Sequence, residues 1–353
     1  MNQPKEPTMQ QIAEAAGVSR MAVSLALRNS PKISQATRER IRRIADELGY
    51  RPNPMVSALM TQLRHGREVR KPSVLAYVTA YETEDGWRVP GPFVAFYEGA
   101  RLRAEALGYV LDKWWLRRPG MTEQRFCDIL FTRDIHGLIF APLPGAGGAL
   151  HLDWPRFATS AIAYSVTSPA IHRASNDQFG TITLALAELS RLGYRRIGLA
   201  ITRESDERVR QQWSAGMLVY QQGVPREQRV PILLATTSFR RAFATWFREH
   251  RPDAVLSLTE QCVTAMEELG ARVPDNVGFA QLALTAGDSD YAGVNQNSEL
   301  VGAAAVDLVD AQLRRNERGI PAQPKTVLIP GVWVPGPTVR NVRPAEQAIV
   351  STA

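Results

Sequence analysis

The chain has 353 residues with only two cysteines, Cys127 and Cys262, far apart and outside any CxxC spacing, which excludes a disulfide framework and fits a reducing cytoplasm. Its five histidines are scattered, no HExxH, GxSxG or P-loop occurs, and no apolar run is long enough to span a bilayer, so metal, hydrolytic and membrane functions have no support. The net charge of +7 lies at one end: the first 71 residues hold 13 Lys or Arg against 6 Asp or Glu, while the remaining 29 basic and 29 acidic residues cancel. A basic head on a neutral body points to a polyanion met by one domain rather than by the whole surface.

The stretch Thr8 to Leu27, TMQQIAEAAGVSRMAVSLAL, predicts two short helices joined by a tight turn. Thr8 and Gln11 have capping-box spacing, and Ile12, Ala13 and Ala16 share one apolar face. Gly17 is placed to end the first helix and Ser19 to cap the second, with Val18 between them and Val23, Ala26 and Leu27 pointing inward. That leaves Arg20, Met21, Ser24 and Leu25 outward. A third helix should start at Ser34, present Ile41, Ile44, Ala45 and Leu48 to the same core, and stop at Gly49.

The runs IAEAAGVSRMAVSLALRN, ISQATRERI and ADELGYRPN, in this order and spacing, resemble the DNA-binding headpiece of the lactose-repressor (LacI/GalR) family of transcription regulators. The resemblance implies an all-α helix-turn-helix headpiece (residues 1–51), a hinge helix and linker (52–71), and an α/β two-lobed core with parallel sheets, related to periplasmic sugar-binding proteins (72–341), before a short tail (342–353). On the resembling pattern Arg20, Met21 and Leu25 face base edges. A guanidinium can bond the O6 and N7 acceptors of guanine, whereas Met21 and Leu25 offer only apolar contact, for example to a thymine methyl. Ser19, Ser24, Arg28 and the backbone at Thr8 are candidates for phosphate contacts, although each serine could equally be a cap or a solvent-facing residue.

Asn53 followed by Pro54 is a sound helix start, and a helix from Pro54 to about Leu63 is expected, too short to be stable by itself. In the resembling family two such helices pair in the minor groove and each inserts a leucine; the residue at that spacing is Leu59. The plainer alternative is an apolar stripe of Met55, Leu59 and Leu63 docking on the core.

From Ser73 onward short apolar strands alternate with amphipathic helices in two series, the second beginning near Phe179. Such alternation predicts parallel sheets in two lobes. The expected division is 73–168 with 298–322 for the first lobe and 170–295 with 325–341 for the second. This places Ser298 to Gly319 back in the first lobe and VLIPGVWVPGPTV in the second. A cleft between two lobes is a natural small-ligand site, and closure around the ligand is how such folds switch.

At the resembling family's ligand positions the polar residues depart from the pattern. Trp213 stands where sugar-binding members carry arginine, Thr259-Glu260 replaces Asn-Asp, and Ala283-Leu284 replaces Asp-Asp. Loss of the groups that pair with hydroxyls argues against a typical hexose and for an aromatic or apolar ligand, or none. Trp213 could stack on a ligand or belong to the core; Asp177, Thr259, Glu260 and Gln296 remain candidates, Asp177 equally as a helix cap.

These readings predict a non-enzymatic, cofactor-free cytoplasmic regulator that binds a double-stranded DNA operator as a homodimer, because one headpiece offers too few base contacts for specific control. The absence of an N-terminal apolar signal region argues against export, and residues Arg343 to Ala353 carry no leucine heptad for a tetramer. Three classes stay open: a repressor answering to a small-molecule effector, a regulator whose core only dimerises, and a cytoplasmic sensor acting through a protein partner.

Overall fold

The computed structural model describes residues 8–27, 30, 32–50, 73–88, 91–145, 147–284 and 290–343. Three helices come first, α1 (Met9–Ala16), α2 (Arg20–Leu27) and α3 (Gln35–Glu47). Their buried Ile12, Ala13, Ala16, Val23, Ala26, Ile41 and Ala45 make a small core, with Val18, Leu27 and Ile44 packed at its margin. The capping box is formed: the Gln11 amide donates to Thr8 Oγ1 at 3.4 Å and the Thr8 amide to Gln11 Oε1 at 2.8 Å. Gly17 turns the chain at φ 62°, a conformation that glycine adopts without steric cost. Ser19 Oγ accepts from the Ala22 amide and Ser34 Oγ from the Thr37 amide, so both later helices are capped as expected. Leu48 differs from its expected inward placement. Helix α3 ends at Glu47, and Leu48 at the cap leaves the buried stripe and is exposed.

The body has strands β1 (Ser73–Thr79), β2 (Tyr109–Trp115), β3 (Gly137–Phe140), β4 (Gly148–Ala149), β5 (Ala158–Ile162), β6 (Val166–Ser168), β7 (His172–Asn176), β8 (Ile197–Thr202), β9 (Leu233–Ala235), β10 (Ala254–Ser257), β11 (Gly278–Leu284), β12 (Ala292–Asn295), β13 (Thr326–Ile329) and β14 (Val332–Val334). They form two six-stranded sheets, ordered β13-β7-β5-β3-β1-β2 and β14-β12-β11-β10-β8-β9, while β4 and β6 make a small third pair. Every pairing in the first sheet is parallel. In the second only β14 runs antiparallel. Each sheet is covered by apolar clusters on both faces, which is what helix-connected parallel strands require.

The boundaries between lobes lie later than the sequence suggests. Strands β7 and β13 pair with each other from Thr326 and Arg173 to Ile329 and Asn176, and both belong to the first sheet. The chain therefore crosses after Asn176 rather than near residue 169, and its last crossing follows Ile329, so VLIPGVWVPGPTV is split between the lobes. The reason is chemical: β7 reads HRASN, and its five buried residues carry no apolar signature of a core strand. Val342, placed in the tail by sequence, is still tied to the second lobe through its amide, which donates to the Leu192 carbonyl at 2.9 Å.

The helix Ser298–Arg315 returns to the first lobe as expected and buries Val301, Ala305, Val306 and Val309 against Leu75 and Ile139 of the sheet and Phe96 and Ala100 of the helix Phe93–Ala106. The two helices touch backbone to backbone at Gly99 and Gly302. A Cβ on Gly302 would collide with the Phe96 carbonyl oxygen, and one on Gly99 with the Glu299 backbone.

Candidate nucleic-acid interface and inter-lobe cleft

On the headpiece, α2 presents Arg20 and Met21 to solvent, Met21 at 74% exposure, while Ser24 and Leu25 are half-buried. An exposed thioether beside an exposed guanidinium leaves this end of the helix free to meet both apolar and polar base edges. Arg40, Arg42 and Arg43 of α3 are exposed, and among the described residues neither they nor Arg20 pairs with a carboxylate. Arg38 is partly buried and donates to the Ser30 carbonyl at 2.9 Å, holding the turn before α3. Thr8 and Ser19 both serve as caps, and their exposed positions leave that surface open to phosphate as well. Arg28, Asn53 and Leu59 lie outside the described residues, as does the expected hinge helix.

Three chain crossings connect the lobes, and side-chain amides bind them together. Asn176 Nδ2 donates to the Gln296 carbonyl at 2.9 Å, Gln296 Nε2 to the Leu282 carbonyl at 2.6 Å, and Asn297 Nδ2 to the Pro330 carbonyl at 2.9 Å. The Asp177 amide donates to the Ile329 carbonyl at 2.8 Å. Gln296 is thus buried and engaged as part of the hinge. Asp177 caps the helix Gln178–Leu192, its Oδ1 accepting from the Gly180 amide at 2.8 Å. Thr259 Oγ1 accepts from the Gln261 amide at 3.3 Å at the start of the helix Gln261–Glu268, and Glu260 is exposed beside it. Trp213 is only 2% exposed and belongs to the apolar cluster of the second lobe with Ile182, Met217 and Leu256, which is its core role.

Sequence reasoning did not find the arginines that the two lobes bring to the Tyr164 ring and its neighbouring loop. Arg173, on β7 of the first lobe, is 5% exposed and donates to the carbonyls of Ala163 at 2.8 Å and Val166 at 3.0 Å. Its guanidinium carbon lies 5.5 Å from the centre of the Tyr164 ring, and that of Arg210, from the second lobe, lies 5.0 Å from the same ring. Burial, and next the charge of Arg210, push the pKa of Arg173 down from its ordinary value. Arg208 reaches from the second lobe to the carbonyls of Gly145 and, at 3.2 Å, Leu143. Tyr81 is close by: burial raises its pKa and the Arg208 charge opposes that rise. No hydrophobic pattern marks these positions. The one sequence signal is the unusual RVRQQ turn, where Arg210 and Gln211 take positive φ values of 58° and 61°.

Two concave surface patches lie elsewhere, one including Arg241, Trp246 and His250, the other His172, Arg318 and Lys325. Among the described residues no group of three or more His, Cys, Asp or Glu side chains is placed to hold a metal ion, and no helix is long and apolar enough to cross a membrane.

Residues 8–53 match the lacI family of bacterial regulatory proteins, and residues 186–339 match the periplasmic binding protein-like domain. The HTH-type transcriptional repressor CytR of Escherichia coli (strain K12) is 32% identical over 133 residues, 37% of this chain and 35% of CytR. The HTH-type transcriptional regulator CelR of Thermobifida fusca is 40% identical over 62 residues, 18% of each chain. The match thus spans about a third of CytR and less of CelR. Among solved structures, a lac repressor dimer bound to operator and the anti-inducer ONPF has a TM-score of 0.54 at 19% identity, covering 95% of this chain and 100% of that one. A CelR–cellobiose complex has a TM-score of 0.52 at 20% identity, covering 94% and 99%. At these identities the likeness is one of fold.

Proposed function

Because this chain belongs to the lacI family of bacterial regulatory proteins, we propose that it is a dimeric transcriptional repressor whose hold on a pseudo-palindromic operator is altered by a small molecule between the lobes. The observation that carries this reading is the pairing of a capped three-helix headpiece, with Arg20 and Met21 exposed, to two sheets joined by three crossing strands. A family member of this kind regulates transcription and is not an enzyme. It acts in the cytoplasm.

Arg20 reads a guanine in each half-site, Met21 and Leu25 contribute apolar contacts, and Ser19, Ser24, Arg28 and the Thr8 backbone hold phosphates. Asn53 begins the hinge helix and Leu59 wedges the central step of the site. Two headpieces related by a two-fold axis give the binding that one cannot. Exposed apolar side chains on the first lobe, Val94 and Leu102 of the helix Phe93–Ala106 and Val110 of β2, supply area for such an interface. Of the residues matched to ligand positions, Asp177, Thr259 and Gln296 act chiefly as framework through caps and hinge bonds, Trp213 through core packing, and Glu260 stays exposed and available to a ligand.

Selection of bound duplexes from a random pool, run with and without candidate metabolites, tests the reading. A two-fold symmetric motif is expected, and Arg20→Ala should relax one position per half-site. A selected motif lacking two-fold symmetry would overturn the dimeric operator reading. A regulator without effector is the second reading, and Arg208 gives it footing, since it already links the two lobes through the Leu143 and Gly145 carbonyls.

A further inference from the structure

Arg173 and Arg210 meet at the Tyr164 ring from the two lobes, with Arg208 on the same turn as Arg210, and among the described residues none of the three is paired with an acid. Many arginines of the body are paired, among them Arg101 with Glu98 and Glu105, Arg103 with Asp307, Arg156 with Asp128 and Asp153, and Arg314 with Asp310. Arg173, Arg208 and Arg210 pair with no carboxylate among the described residues; they meet carbonyl oxygens and the Tyr164 ring. Asp206, the buried acid of the same turn, spends one oxygen on the Ser214 amide at 3.1 Å. A ring face offsets a cation much less than burying a charge without a counter-ion costs, and Arg173 is buried. Arg173 and Arg210 come from opposite lobes, so their mutual repulsion opposes closing of the cleft at Tyr164.

We infer that the cleft takes a small organic anion, bearing a carboxylate or phosphate group, held between Arg173 of the first lobe and Arg210 of the second over Tyr164. This rests on the cleft being the effector site and names the chemical class of the effector. Guanidinium groups bind both anions through paired N–H donors, and the anion turns the repulsion across the cleft into a bridge. The closed arrangement then binds the anion better than the open one, which is the differential affinity a switch needs. Tyr164 offers its ring to a planar or apolar part of the same molecule.

Calorimetric titration of the full-length protein without DNA tests the inference with matched pairs: glucose 6-phosphate and glucose, benzoate and benzyl alcohol, with inorganic phosphate alone as the minimal probe. At least one anionic probe should bind about tenfold or more tighter than its neutral partner, with affinity falling as salt rises. Arg210→Gln, at an exposed position that leaves the fold intact, should weaken that binding by about tenfold or more. Arg173→Lys should do the same, and its circular dichroism separates lost binding from lost folding. Equal affinity within every pair, or anion binding unchanged in Arg210→Gln, would overturn the inference. Because no DNA is present, anion binding that leaves operator affinity unchanged would instead overturn the effector role and leave the anion site standing.

Discussion

Asn176 and Gln296, 120 positions apart in sequence, are joined by a buried hydrogen bond of 2.9 Å from the Asn176 amide to the Gln296 carbonyl, which ties the first crossing strand to the second. Lobes that move about a hinge need the hinge itself to hold its shape, and this bond fixes two of its three strands. Asn176→Ala removes the donor and leaves a buried carbonyl unsatisfied. We expect a loss of about 1–3 kcal/mol in the urea unfolding free energy, with Asn176→Asp no better, since an acid cannot donate to that carbonyl when ionised. An unfolding midpoint equal to wild type would show that the bond does not hold the hinge.

The capping box of α1 makes a local prediction. Thr8→Ala removes the acceptor for the Gln11 amide and should cost the headpiece about 1 kcal/mol, whereas Thr8→Ser should retain most of it. Amide hydrogen exchange at Gln11 and Ile12 in the full-length protein reports this directly. Faster exchange confined to the headpiece, with the body unchanged, is the expected pattern.

Glycine replacements separate close approach from open surface. Gly302→Ala puts a methyl into the Phe96 carbonyl oxygen where two helices meet, and overpacking of this kind costs about 1–3 kcal/mol or more. Gly223 lies at φ −86°, and a methyl added there would meet only the Tyr220 carbonyl oxygen, at 3.6 Å. Gly223→Ala should therefore be neutral or stabilising by up to about 1 kcal/mol through the unfolded chain. Thermal unfolding of the two variants should shift in different directions or by clearly different amounts.

His172 gives the body an acid limb. It is buried on β7, its Nδ1 accepts from the Lys325 amide at 2.9 Å, and burial, followed by the charge of Lys325, lowers its pKa from the ordinary histidine value. The folded state therefore resists a proton that the unfolded chain accepts. The contribution is fully present above the unfolded histidine pKa of about 6.5 and is lost as the pH falls from there through the lower folded value. His172→Gln should flatten that part of the stability profile, measured by urea unfolding from about pH 7.5 down to about pH 5, the range that brackets the histidine titration. A slope left unchanged would mean that His172 does not supply it.

The two thiols should be silent in the native protein. Burial raises the pKa of Cys127, and that of Cys262 is pushed up to about 12, so neither offers much thiolate near neutrality, and neither side chain is open to solvent. An Ellman titration at about pH 8, near the pKa of an ordinary thiol, should find little reactive thiol until denaturant is added, and then both.

The headpiece was legible almost to the residue, because its caps, its Gly17 turn and its apolar spacing are local signals that need no distant partner. The apolar strands of the body were legible for the same reason. Strands β5 and β7 were not. They are buried along their length, yet read ATSAI and HRASN, and their polar groups are only partly satisfied: Thr159 Oγ1 and Ser175 Oγ find no partner among the described residues, while others bond elsewhere in the first lobe. Ser160 Oγ donates to the Ala305 carbonyl, Gln312 exchanges two bonds with the Thr159 backbone, and His172 Nδ1 accepts from the Lys325 amide. A pattern of apolar spacing cannot see a strand whose burial is made possible by hydrogen bonds to residues so far along the chain. The arginines of the cleft were missed for a related reason: positions matched to sugar-binding relatives direct attention to Trp213 and Thr259, whereas the charges here come from β7 and from a turn with two residues in left-handed conformation.

The placement of β13 and β14 bears on how the protein is made. Each forms one edge of its sheet, β13 beside β7 and β14 beside β12, and both lie within residues 326–334. A ribosome must therefore translate almost the entire body before either lobe receives its last strand, and the first lobe must also wait for the helix Ser298–Arg315. Until then the nascent chain carries two open β-edges at the hinge side, so this short final segment acts as a latch that closes both lobes in one stroke, and a chain broken off before it would emerge with neither half complete.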